Sequence, residues 1–136
     1  MPVIKRIHHV AVLVEDIDQA LLFWRDALGL ETGPIEEVSE QEAIVVDLRT
    51  EGTALELVQP ATEKSGLARF LRKRGPGMHH ICLEVDDLDA ILSQLKAKHI
   101  QLINPEPVMG SDGKRVAFIH PQSANGVLVE LCEVES

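Results

Sequence analysis

Apolar residues follow two patterns in this chain, β-branched runs and stripes spaced at 3.6 residues, and the patterns alternate in the same order twice. Residues 7–14 are rich in β-branched and aliphatic side chains and predict a strand. Asp16, with Gln19 three residues on, predicts an N-cap and capping box. Ile17, Ala20, Leu21, Trp24, Ala27 and Leu28 follow at helical spacing, and Gly29 predicts the stop. Residues 34–42 are polar and contain Pro34, which predicts a loop or the weak start of a strand. Residues 43–50 and 53–59 predict two strands around the turn signal Glu51-Gly52, with Pro60 ending the second. A short helix is expected over 65–74, with Ser65 as its cap and Leu67, Phe70 and Leu71 inward. Gly75-Pro76-Gly77 predicts a flexible joint.

The second half repeats this order. A strand is expected over 79–85 and a helix over 88–98, with Leu88, Ile91, Leu92 and Leu95 inward. A proline-containing stretch at 104–107 and a turn at Ser111-Asp112-Gly113 precede strands near 115–120 and 126–133. The repetition reaches individual residues. Residues 8–18 and 79–89 superpose at an offset of 71, matching His8 with His79, His9 with His80, Asp16 with Asp87 and Asp18 with Asp89. Residues 53–57 and 127–131 superpose at an offset of 74, matching Glu56 with Glu130. The expected fold is α+β, built from two modules of roughly 4–75 and 76–136, each βα followed by two or three strands. Halves of roughly 65 residues are too small to be expected as independent domains, so residues 1–136 are expected to form one.

Strand alternation assigns each repeated residue to a face. His9 shares a face with Ala11 and Leu13, His80 with Cys82, Glu56 with Ala54 and Val58, and Glu130 with Leu128 and Cys132. The opposite faces carry bulky aliphatic stripes suited to packing on helices. Four ionisable groups on inward faces would be costly to bury, and two carboxylates among them would repel. A divalent cation removes both objections, so His9, Glu56, His80 and Glu130 are the expected ligands of one mononuclear metal site. Two imidazoles and two carboxylates suit Zn²⁺, Co²⁺, Mn²⁺, Fe²⁺ or Ni²⁺. His8 and His79 have the opposite parity and are expected outside the ligand set. His99 is expected to face solvent. His120, before Pro121, either closes a strand by hydrogen bonding or lines a ligand pocket.

Composition narrows the partners. Net charge is −9, with one Trp, three Phe and no Tyr, which argues against a nucleic-acid surface. The 45% apolar content is that of an ordinary globular chain, and no apolar run approaches a membrane span. The N-terminus lacks a signal-peptide pattern and leaves no room for a transit peptide, so cytoplasm is the expected location. Cys82 and Cys132 sit in apolar runs without CxxC spacing and are expected as core filler. Arg69, Arg72, Lys73 and Arg74 form a basic cluster, either a solvated helix end or an anion site.

The phrases Ile7-His8-His9-Val10-Ala11-Val12, Leu55-Glu56-Leu57-Val58-Gln59-Pro60, Gly77-Met78-His79-His80-Ile81, Gly113-Lys114-Arg115-Val116-Ala117-Phe118-Ile119-His120-Pro121 and Gly126-Val127-Leu128-Val129-Glu130-Leu131 resemble the vicinal oxygen chelate, or glyoxalase, superfamily. Within it they resemble the methylmalonyl-CoA epimerase family over nearly the whole chain. The resemblance implies two βαβββ modules forming a cupped mixed sheet around one metal, in a homodimer. It places that metal on His9, Glu56, His80 and Glu130, with Co²⁺ first and Mn²⁺, Zn²⁺ or Ni²⁺ as alternatives. It implies interconversion of (R)- and (S)-methylmalonyl-CoA through an enolate, with Glu130 as both ligand and base. A second acidic residue that serves the opposite face in some epimerases aligns with Val45 here. Asp47 has the same parity, about 6–7 Å further along the strand, and is the candidate substitute. Lys114 and His120 are candidate substrate contacts, and the Arg69–Arg74 cluster is a candidate phosphate contact. A glyoxalase I-type isomerase, an Fe²⁺ dioxygenase and a metal-free drug-binding protein of the same fold are the alternative readings.

Overall fold

The two helix starts repeat one piece of local chemistry. The computed structural model describes residues 2–134. In it, strand β1 (Ile4–Leu13) runs into helix α1 (Ile17–Leu21), and strand β5 (Gly77–Val85) runs into helix α3 (Leu88–Ala97). Asp16 accepts from the Gln19 N–H at 3.2 Å and Asp87 from the Ala90 N–H at 3.0 Å, satisfying helix donors that have no partner within the helix. A second acceptor arrives from far along the chain. Gln59 Oε1 takes the Ile17 N–H at 2.8 Å, and Glu133 Oε2 takes the Leu88 N–H at 2.7 Å. Gln59 and Glu133 each stand three residues after a repeated Glu, so the duplication extends to these tertiary caps.

The chain divides into two compact units, one of residues 9–79 and one of residues 80–136 together with those up to His8. The division falls inside β1, which gives its first half to one unit and its second half to the other. In the 9–79 unit the strand order is β2 (Glu31–Val38), β3 (Ala43–Arg49), β4 (Ala54–Pro60), β1. β4 is parallel to β1 and antiparallel to β3. One sheet face packs Val46, Leu48 and Leu57 against Ile17 and Leu21 of α1. The other packs Ala11, Leu13, Val38, Ala43, Val45 and Val58 against Leu67, Phe70 and Leu71 of helix α2 (Gly66–Arg74). Apolar cover on both faces explains why clean alternation is blurred in these strands. Ser65 caps α2, accepting from the Ala68 N–H at 3.0 Å.

Two expectations in this unit are corrected. Residues 31–38 form a full strand against β3 where a loop or weak strand start was expected; the register slips between Thr32 and Ile35, beside Pro34. β2 is the outermost strand of this unit, where a proline costs little because one strand edge has no partner in the ladder. α1 continues as a wide π turn, Leu22–Ala27, with the Leu28 N–H reaching back to Phe23 O at 2.8 Å. The extra residue in the turn rotates the stripe, so Ala27 and Leu28, expected inward, are exposed.

In the other unit the order is β5, β8 (Val129–Glu133), β7 (Arg115–Ile119), β6 (Val108–Met109), and the two-residue β6 supplies the third strand of the expected βαβββ module, in a stretch to which no strand was assigned. Val85, Leu88, Ile91, Leu92, Ala117, Val129 and Leu131 make its core. α3 ends through His99 in the left-handed conformation at φ 62°, with the Ile100 N–H closing on Leu95 O at 3.0 Å. His99 is exposed, as expected. Cys82, Cys132 and Val116 form a small buried cluster, and both cysteines are thiols. No helix among the described residues is long and apolar enough to cross a membrane.

These caps set a measurable asymmetry. Asp87→Ala should lower unfolding free energy in urea by about 1 kcal/mol. Glu133→Ala should cost more, because Glu133 also receives Arg115 Nη1 at 3.1 Å.

Candidate active site

Each unit buries one imidazole against one carboxylate. In the 9–79 unit, parallel pairing sets Ala11 beside Glu56 and Ala54 beside His9, which brings the two long side chains together over two alanines. His9 Nε2 and Glu56 Oε1 lie 3.7 Å apart, and the residues are 3% and 5% exposed. Asp47 stands directly across β3–β4 from Glu56, on the same face, and is half-buried. Val45, two residues earlier on that face, is buried among the residues under α2. A carboxylate there would lose its hydration among aliphatic side chains, so Asp47 is the acidic group this strand offers.

In the other unit, pairing sets Cys82 beside Glu130 and Phe118 across from it. His80 Nε2 and Glu130 Oε1 form a buried hydrogen bond of 3.1 Å. The Phe118 ring meets His80 edge-on, with centroids 5.6 Å apart, and limits the tilt of the imidazole. Cys82 is held as a thiol. Its pKa is pushed well above the ordinary range by the hydrogen bond with Cys132 first, then by burial and by the charge of Glu130.

The donor chemistry suits a divalent ion. Each pair presents a borderline nitrogen and a hard carboxylate oxygen, and the His9 and Glu56 donor atoms are close enough for one ion to touch both. Among the described residues these four, with Ser65 and Glu84, make up the buried polar side chains. The sequence reading missed Glu84. It is 5% exposed on the His80 face of β5, with Lys5 Nζ at 3.5 Å and Arg6 Nε at 3.7 Å. The signal was present: Glu84 has the parity of His80, and a carboxylate on a buried strand face calls for a nearby cation.

Lys114 and His120 flank the same strand. The Lys114 side chain is 10% exposed, pairs with Asp112 at 3.6 Å, and walls a cavity of about 410 Å³ with His8, Arg115 and Glu133. Arg115 is fixed by Asp89 at 2.9 Å and by Glu133, contacts that raise its pKa. His120 Nδ1 accepts the Gln122 N–H at 3.0 Å and caps the short turn Pro121–Ser123. That hydrogen bond fixes the tautomer, leaving the ring proton on Nε2. Arg69 and Arg72 reach back from α2 to Lys64 O at 2.8 Å and Glu63 O at 2.9 Å.

A model of the Glyoxalase/Bleomycin resistance protein/Dioxygenase superfamily matches residues 8–118. The mitochondrial methylmalonyl-CoA epimerase of Bos taurus is 40% identical over 127 residues, covering 93% of this chain and 73% of that protein. The ethylmalonyl-CoA/methylmalonyl-CoA epimerase of Cereibacter sphaeroides is 38% identical over 133 residues, covering 96% and 99%. A substituted methylmalonyl-CoA epimerase of Streptomyces coelicolor, solved in complex with 2-nitronate-propionyl-CoA, superposes with a TM-score of 0.89 at 33% identity, covering 98% and 99%. The chain therefore belongs to the methylmalonyl-CoA epimerase family of the glyoxalase superfamily, with the α+β fold of that superfamily.

Proposed function

We propose that this protein interconverts the two epimers of methylmalonyl-CoA, with His9, Glu56, His80 and Glu130 as ligands of one divalent metal ion. The observation that carries the reading is the repeated buried pair, His9 with Glu56 at 3.7 Å and His80 with Glu130 at 3.1 Å. The related proteins are methylmalonyl-CoA epimerases, which supports the substrate class, and the donor set fits the ion that an enolate-forming reaction needs. When bound, that ion would act as a Lewis acid toward substrate oxygens. Co²⁺ is the first choice, with Mn²⁺, Zn²⁺ and Ni²⁺ suited to the same donors. We place the reaction in the cytoplasm, within propionate metabolism; the two cysteine thiols fit a reducing compartment.

The carbon between thioester and carboxylate loses its proton to Glu130, breaking C–H and forming O–H. The electron pair moves onto the thioester oxygen. Asp47 returns a proton to the opposite face of the carbon, ending ionised while Glu130 ends protonated. Exchange with solvent resets both, and the reverse reaction exchanges their roles. Lys114, nearly buried beside its cavity, and His120, with Nε2–H as a donor, are the proposed substrate contacts.

Incubation with methylmalonyl-CoA in D₂O should place deuterium at the α-position, and chelation should stop it. Glu130→Gln should slow exchange about 10²–10⁴-fold. Asp47→Asn should slow exchange from one epimer more than from the other, and equal, unchanged rates would remove Asp47 from the mechanism.

Glu56→Ala should weaken metal affinity at least about tenfold in chelator competition.

The protein is proposed to act as a homodimer. Leu22, Phe23 and Leu28, each more than half exposed around the π turn, supply apolar surface for that contact. Light scattering after size exclusion should give twice the chain mass, and Phe23→Glu should reduce it.

A further inference from the structure

Four of the thirteen Lys and Arg residues fall within the last six residues of α2, as Arg69, Arg72, Lys73 and Arg74, in a chain of net charge −9. The usual explanation is complementation of the helix dipole, which one or two cations satisfy. Two of the four have further work. The Arg69 and Arg72 guanidiniums hold the carbonyls of Lys64 and Glu63 and so fix the loop that leads into α2, while keeping their charges at the surface.

Arg74 does something different. Its guanidinium carbon lies 5.3 Å from the centroid of the Phe70 ring, and His79 meets the same ring edge-on at 5.0 Å. Gly75 and Gly77, at φ 79° and 145°, turn the chain between Arg74 and His79 through conformations that other residues rarely adopt. The result is a cation backed by an aromatic ring, a second heteroaromatic ring beside it, and exposed Lys73 next in the chain. Phe70 also packs against the cluster that contains Ala11, Leu13, Val45 and Val58, and alternation puts His9 and Glu56 on that same sheet face. The basic end of α2 is therefore on the side of the sheet that carries this unit's His–Glu pair.

We propose that Lys73, Arg74, Phe70 and His79 bind the phosphorylated adenosyl end of the acyl-CoA. This rests on the acyl-CoA reading above and adds the place where the nucleotide docks. A guanidinium held against a ring offers a flat surface for a purine, and neighbouring ammonium and guanidinium groups pair with phosphates. The helix C-terminus opposes an anion with about half a charge, which four full positive charges outweigh. On a protein this acidic, a local basic patch also steers a polyanionic ligand to one face.

The test is calorimetric and needs no turnover. Wild type and the double variant K73A/R74A are titrated with CoA, 3′-dephospho-CoA and methylmalonyl-pantetheine. The proposal expects the variant to bind CoA about tenfold or more weakly, with methylmalonyl-pantetheine binding changed less than about twofold. A smaller loss for 3′-dephospho-CoA would assign part of the effect to the 3′-phosphate, and an undiminished loss would assign it to the diphosphate. The single variant K73R, which keeps both the charge and the Arg74–Phe70 stack, should keep most of the CoA affinity. Unchanged CoA affinity, equal weakening of CoA and methylmalonyl-pantetheine, or a wild type that binds no CoA would overturn the proposal. Normal α-proton exchange alongside any of these results would leave the epimerase reading standing. Selective loss of CoA binding in a protein that exchanges no α-proton would do the reverse.

Discussion

Burying a carboxylate among aliphatic side chains is the constraint from which the rest of this structure follows. Each unit does it at an equivalent position, and each supplies an imidazole to meet the charge. An ionised group removed from water loses several kcal/mol of hydration unless something nearby replaces it. Alanines and a cysteine beside the long side chains leave room for the pairs, and the α1 and α3 cores hold the strands that carry them. A divalent ion would supply positive charge where the fold buries a carboxylate.

The repeated caps show how the pairs are positioned. Gln59 and Glu133 are three residues beyond Glu56 and Glu130, and each is bonded to the first turn of the helix that follows its His-bearing strand. The His-bearing strand, the helix and the Glu-bearing strand are thus tied in one local triangle in each half. A shift of either Glu-bearing strand along its neighbour would break a half-buried hydrogen bond at the helix start as well as the pair. Register at the site and stability at the helix terminus are therefore linked.

Much of this was legible in the sequence because it follows from local periodicity. Parity alone placed His9, Glu56, His80 and Glu130 on inward faces, and Asp16, Ser65 and the 88–97 stripe announced their helices. What stayed hidden depends on pairing across the chain. Pro34 sits in a strand because β2 is outermost in its unit, which no property of residues 34–42 reveals. The π turn after Leu21 comes from one extra residue between hydrogen bonds, and a helical stripe does not record it. Glu84 drew no reading from the sequence because its partners, Lys5 and Arg6, lie some eighty positions earlier. His120 shows both sides of this limit: its capping role was anticipated as one option, and its proposed role at a ligand remains a matter of chemistry.

The division inside β1 has a consequence for how the chain matures. Val3 and Asp86 exchange two hydrogen bonds across eighty-three positions, and Lys5 and Arg6 neutralise Glu84 in the same unit. During synthesis, residues 3–8 emerge before the 9–79 stretch but belong with segments that emerge after it. The 9–79 stretch can assemble its sheet while the remainder is still being made, whereas the opening half-strand must wait for β5. Completion of that unit therefore waits for β5 and carries the loop-closure entropy of the stretch between. Until β5 is made, residues 4–8 have no strand of their own unit to join.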